Sequence, residues 1–222
     1  MRAAVQVIRE SSARTVMKTE MGTAPGEPIY TITAKGAHDF ARNSGTVNAR
    51  VGDAAEFDQV LTDDRIYVRG VAGTETMPWS YTDRADAKVQ HMLRAPGNDA
   101  AHLLQQASMS SEYDRFGTET VAGTTTTRYS APLSHKALVL NMSEETREKS
   151  GQLRDMMGGE IPATAEVWVD QRKRAVRIRL SLDIPGSVSS ITTLTLTDLG
   201  RPVKVTVPTA EGTEESDAAL SG

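Results

Sequence analysis

The chain contains no cysteine among its 222 residues, which removes disulfides, thiolate metal sites and thiol nucleophiles in one step. Long apolar runs are missing as well. The longest, 137–140, falls far short of the roughly 20 residues of a membrane-spanning helix. No secretory leader opens the sequence, so if the protein is exported its targeting segment is expected to have been removed ahead of Met1. Nor is there a surplus of positive charge: 25 Lys and Arg stand against 29 Asp and Glu. Four of those acids, Glu211, Glu214, Glu215 and Asp217, lie within 209–222, which reads as a disordered acidic tail, so the body of the chain is neutral. Phosphate neutralisation by nucleic-acid binders draws on a clear basic excess, and nucleic acid is therefore not an expected partner.

The common catalytic signatures are also absent. There is no Gly-x-Ser-x-Gly elbow, no phosphate-cradling glycine loop, no His-Glu-x-x-His and no dinucleotide fingerprint. His38, His91, His102 and His135 are scattered, and they read as surface or helix-face residues. Asp63-Asp64 and Glu144-Glu145 fit a turn and a helix first turn better than an acid/base pair, and the sequon Asn141-Met142-Ser143 fits chance occurrence. No catalytic residue, metal ligand or cofactor follows from these patterns, and the chain reads as a non-enzyme.

What is present is strand grammar. The segment 2–9 has Ala4, Val5 and Ile8 at helical spacing. After it, 15–21, 29–34, 46–51, 55–61 and 65–69 are short alternating runs punctuated by Gly, Pro, Asn and Asp, which predicts an antiparallel meander. Two helices are predicted next, one carrying Ala85, Val89, Met92 and Leu93 on one face, the other Ala100, Leu103, Leu104 and Ala107, with Asn98 or Asp99 as cap. A hairpin over 111–133 turns at Val121-Ala122-Gly123. A helix over 143–157 then starts at Ser143 and stops at Gly158-Gly159. The alternation is cleanest at Val176, Ile178, Leu180 and Leu182, and it continues through Leu194 and Leu196 to Val203, Val205 and Val207, giving roughly eleven strands. One domain over 1–208 accounts for the pattern.

Two residue classes stand out. Arg172, Lys173, Arg174, Arg177 and Arg179 concentrate positive charge at a predicted hairpin turn and the strand after it. A solvated edge explains this cluster, and a landing patch for anionic head groups or a partner is the functional alternative. Met92, Met109, Met142, Met156 and Met157 fall in or beside predicted helices, as core filling or as the deformable lining of an apolar site.

The order of elements, together with Asp64-Arg65-Ile66-Tyr67-Val68-Arg69 before Pro78-Trp79, Gly117 to Gly123 before Thr127-Arg128-Tyr129, Ala165-Glu166-Val167-Trp168-Val169-Asp170, and Leu199-Gly200-Arg201-Pro202-Val203, resembles the LolA-like superfamily. Within it the chain looks like the actinobacterial lipoproteins of the LppX/LprG type. The resemblance implies an α+β fold, a strongly curved antiparallel half-barrel sheet with helices over its concave face, which holds acyl chains of a lipid or lipoprotein. It also implies an extracytoplasmic location and an N-terminal lipid anchor to the cell membrane, on a lipidated cysteine that this chain does not contain. On that frame the expected cavity lining is Val89, Met92, Leu93, Leu103, Leu104, Met142, Leu153, Met156 and Met157. The helix over 143–157 would be its lid, and Arg172, Lys173 and Arg174 a head-group or membrane patch. A monomer is expected. The competing reading is a non-enzymatic envelope sensor or protein-interaction domain on the same scaffold, which would show a closed core where a carrier shows a cavity.

Overall fold

A computed structural model describes residues 2–209 and 213–215. Helix α1 (Arg2–Arg9) leads into six consecutive strands, β1 (Ser12–Gly22), β2 (Pro28–Asp39), β3 (Ser44–Val51), β4 (Ala55–Leu61), β5 (Arg65–Ala72) and β6 (Glu75–Asp83). A strap over 84–99 connects these to α2 (Ala100–Ser108) and the hairpin β7 (Asp114–Val121) and β8 (Thr124–Pro132). Then come α3 (His135–Leu138), α4 (Glu144–Met156), β9 (Ala163–Asp170), β10 (Ala175–Ile184), β11 (Val188–Thr197) and the two-residue β12 (Glu214–Glu215). All twelve strands form one sheet in the order β12-β6-β5-β4-β3-β2-β1-β11-β10-β9-β8-β7, antiparallel except where β12 joins β6 in parallel.

Strand alternation explains which face is covered. Ile178, Leu180 and Leu182 of β10 are buried on the inner face, while Arg177, Arg179 and Ser181 point outward. The register stacks these residues across the sheet: Ile178 lies between Val167 and Leu194, and Leu180 between Ala165 and Thr192. Helices α1 and α2 pack on this half, so that Val5, Ile8, Leu103 and Leu104 share one core cluster with Ile178, Leu180 and Leu194. The β7–β8 turn has Ala122 and Gly123 at positive φ (46° and 77°), the primed turn that a two-residue hairpin needs. Helix α2 is capped by Asp99, whose side chain accepts from the Ala101 amide, and α4 by Ser143, whose hydroxyl accepts from the Thr146 amide.

Three sequence expectations are corrected. The segment expected to be a helix around Ala85 to Leu93 is irregular: Val89 forms an isolated parallel bridge with Met142, and Leu93 has φ 62°. Burial decides this, because Ala87, Val89, Leu93 and Ala95 all turn inward, a spacing that one helical face cannot provide. The alternation at Val203, Val205 and Val207 forms no strand. Strand β11 is already paired on both sides, by β1 and β10, and Pro202 has no amide to donate. In its place β6 completes the sheet. Its internal Pro78 hid it as a strand, and the ladder accommodates that residue by a register shift opposite Val68 and Gly70. In the acidic C-terminal stretch, Glu214 and Glu215 pair with Ser80 and Tyr81; 210–212 and 216–222 lie outside the described residues.

Candidate functional site

The helices cover β9 and β10, whereas over one part of the inner face of β2 to β6 the roof is the strap. Small side chains, Ala49 and Ala55, stand on this part of the sheet where β10 and β11 carry Ile and Leu. A cavity of about 510 Å³ results. Its floor is Ile32, Ala49, Val51, Phe57, Ile66 and Val68, one wall is β6 from Met77 to Thr82, and its roof is Arg94, Ala95, Gly97 and Asn98. Tyr30, Ala55, Gln59 and Glu214 complete the lining. The surface is mostly apolar, and its volume falls within the roughly 300–1,000 Å³ of small-molecule sites.

The strap is fastened at several points. Thr192 Oγ1 donates to the Leu93 carbonyl at 2.9 Å, and Asn98 Nδ2 donates to Gln59 Oε1 at 3.0 Å. At its start, Arg84 Nη1 donates to the carbonyls of Asn43 and Thr62, each at 2.6 Å, and Nη2 pairs with the Asp99 carboxylate. Gly97 has φ 56°, and a Cβ there would approach Ile66 Cγ2 to 2.8 Å, so the roof runs directly on the floor at this end of the cavity. Arg94 is 5% exposed, and its Nε and Nη1 are buried without a hydrogen-bond partner. Burial lowers its pKa from the ordinary arginine value, and the neighbouring Tyr30 acts in the opposite direction.

A second apolar cavity of about 290 Å³ lies on the other side of the strap, between Gln90, His91 and Met92, helix α4 and the ends of β10 and β11. Three residues of the expected lining, Met92, Met142 and Leu153, meet here with Met21, Leu182, Ile184 and Val188. The others are placed differently. Leu93, Leu103 and Leu104 are fully buried in the main core, Val89 is buried beside Met142 and Val139, and Met157 packs at the edge of the main core. Met156 points away from the interior and is 78% exposed, because Leu153 and Met157 take the inward positions of the last helical turn. None of the nine lines the larger cavity.

The basic cluster is also smaller than its sequence suggests. Asp170 accepts from Arg174 Nε at 2.9 Å and from the amides of Arg172 and Arg174, fixing the β9–β10 turn. Arg179 pairs with Glu166 at 3.7 Å, and Arg177 lies over the Trp168 ring. Arg172 and Lys173 remain exposed at the turn.

Beneath the strap's C-terminal end sits a buried polar cluster that the scattered sequence positions do not suggest. His38 Nδ1 and Thr15 Oγ1 are 3.2 Å apart, and His38 Nε2 lies 3.8 Å from Asp99. Asn141 Nδ2 donates to His102 Nδ1 at 3.4 Å. Burial lowers the pKa of both rings to about 4, with Asp99 opposing the shift in each case. Both are therefore neutral at pH 7, and they serve as packed polar wedges between α2 and the sheet. Among the described residues no cluster of acids and histidines has metal-binding geometry, and no helix is long and apolar enough to cross a membrane.

No family model matches the sequence, and no curated protein matches it either. Solved structures do match. The lipoprotein LppX of Mycobacterium tuberculosis superimposes with a TM-score of 0.51 at 18% identity, over 92% of this chain and 98% of the other. LprF from Mycobacterium bovis does so with a TM-score of 0.50 at 16% identity, over 95% and 99%. Almost the whole of each of these two chains is matched. The chain thus has the fold of the mycobacterial lipoproteins LppX and LprF, the type to which its sequence pattern points.

Proposed function

We propose that the protein is an extracytoplasmic lipid-binding carrier, membrane-anchored in its mature form, whose twelve-stranded sheet holds acyl chain in the cavity over β2 to β6. The observation that carries this reading is the 510 Å³ apolar space between the strap and the inner face of β2 to β6. The fold shared with two lipoproteins supports the cell-envelope setting. Each methylene moved from water into such a space contributes about 0.8 kcal/mol, so ten to twelve of them supply about 8–10 kcal/mol before the cost of association. No strong polar contact is needed for retention.

The smaller cavity under α4 extends the same reading. The helix buries only Ser150 completely and stops at Gly158 and Gly159, both at positive φ (85° and 102°). It serves as a lid that admits chain between itself and Leu182, Ile184 and Val188. The decisive experiment is native mass spectrometry of protein purified from a lipid-producing host, followed by organic extraction. The expected result is a bound species carrying at least one long acyl chain, lost when Ala49→Phe fills the cavity floor. Protein that arrives free of lipid, and takes up none from mixed vesicles, would favour the interaction-domain alternative.

A further inference from the structure

We propose that the ligand of the larger cavity is an anionic amphiphile whose carboxylate or phosphate oxygens meet Arg94 inside the cavity. The inference rests on the lipid-binding reading and specifies its ligand class. Three partly buried guanidinium groups have their acids: Arg84 has Asp99, Arg128 has Glu166 and Arg174 has Asp170. Arg94 has none. Among the described residues no carboxylate lies within ion-pair distance of it, although Glu214 lines the same cavity.

A guanidinium does not shed its proton near neutral pH, so this charge is permanent in a space whose walls are largely apolar. Isolated buried charge is strongly disfavoured unless a partner arrives, and a planar donor set is suited to carboxylate or phosphate oxygens. Ile32, Val51, Phe57 and Val68 beside it suit a hydrocarbon chain joined to that group. The arrangement selects a ligand with both parts. A neutral lipid would leave Arg94 unpaired, and a free anion would leave the apolar floor exposed.

Binding is measured by isothermal titration on the intact protein, stripped of endogenous lipid, with two matched pairs. These are palmitate against methyl palmitate, and dipalmitoyl phosphatidic acid against dipalmitoylglycerol; inorganic phosphate serves as the chain-free control. At least one anionic member should bind tenfold or more tightly than its neutral counterpart, and the pair showing the larger ratio identifies the head group. Arg94→Met should abolish the preference while raising the melting temperature of the ligand-free protein, because it removes a buried charge without partner. Equal binding of anionic and neutral members overturns this inference and leaves the lipid-binding reading standing, as does a preference that survives in Arg94→Met. Competition by inorganic phosphate at concentrations comparable to the lipid also overturns it. Absence of binding by all four lipids overturns the lipid-binding reading itself. Should Arg94→Met fail to fold, the ligand pairs measured on the wild-type protein still decide.

Discussion

Lowering the pH from 7.5 to 4 should destabilise the protein through two side chains that contribute nothing to its net charge at the start. His38 and His102 are 3% and 4% exposed, and their folded pKa values lie at about 4 against 6.5 unperturbed. Above pH 6.5 both rings are neutral in the folded and unfolded chain, and their packing contributes in full. As pH falls below 6.5 the unfolded chain takes up protons that the fold refuses, so stability drains away until the folded rings titrate near pH 4. The difference between 6.5 and about 4 corresponds to about 3–4 kcal/mol per ring, or about 7 kcal/mol for both. That is comparable to the whole stability of many domains. Guanidinium chloride unfolding followed by far-UV circular dichroism, at half-unit pH steps, reads the loss directly. His102→Gln should lower the slope between pH 6.5 and 4 to about half. A stability that stays flat over this window, or a His102→Gln slope equal to that of the wild type, would refute the argument by showing that the rings accept protons in the folded state. Carboxylates held below their ordinary pKa, such as Asp58 beside Asn48 and Arg69, lose their contribution only at lower pH, below about 4, which keeps the two effects separable.

Three further outcomes follow from residue placement. Leu153→Asp should weaken lipid retention and accelerate amide exchange in α4, since it sets a charge against the smaller cavity, while Met156→Asp on the exposed side should change neither measurably. Asp170→Ala should lower stability by about 3 kcal/mol in chemical denaturation, because one buried carboxylate organises two amides and Arg174 at the β9–β10 turn. Binding by the larger cavity should be unchanged in that variant, since the turn supplies none of its lining.

Much of the sheet was legible because a strand with one covered face writes that fact into every second residue. Val176 to Leu182 and the hairpin turn at Ala122-Gly123 are examples. The strap was not. Ala85, Val89, Met92 and Leu93 satisfy helical spacing, yet the chain is held on an irregular path by the Val89–Met142 bridge and the Thr192–Leu93 bond, both to residues far away in sequence. The sequence pointed to Met92, Met142 and Leu153 of the smaller cavity but to no residue of the larger one. Its floor is made of ordinary inward strand residues, indistinguishable in sequence from core until the overlying helices are seen to stop short. Arg94 carries no local signature either, since a single arginine before Ala95-Pro96-Gly97 reads as a surface residue of a loop.

The strand order divides the sheet into two meanders that meet only where β1 pairs with β11, Arg14 standing opposite Thr197. Apart from the β8–β9 connection through α3 and α4, each meander can assemble from neighbouring hairpins, whereas their junction must close a loop that spans nearly the whole chain, a slow, non-local step in folding. All but Glu214 of the larger cavity's lining falls between residues 30 and 98, in the first meander and its strap. The second meander supplies the counterpart core for α1 and α2. The lining of the larger cavity and the core under α1 and α2 are in this way carried by successive stretches of polypeptide. Sequence change in strands β7, β8 and β9 can then adjust robustness without touching the lining of either apolar cavity.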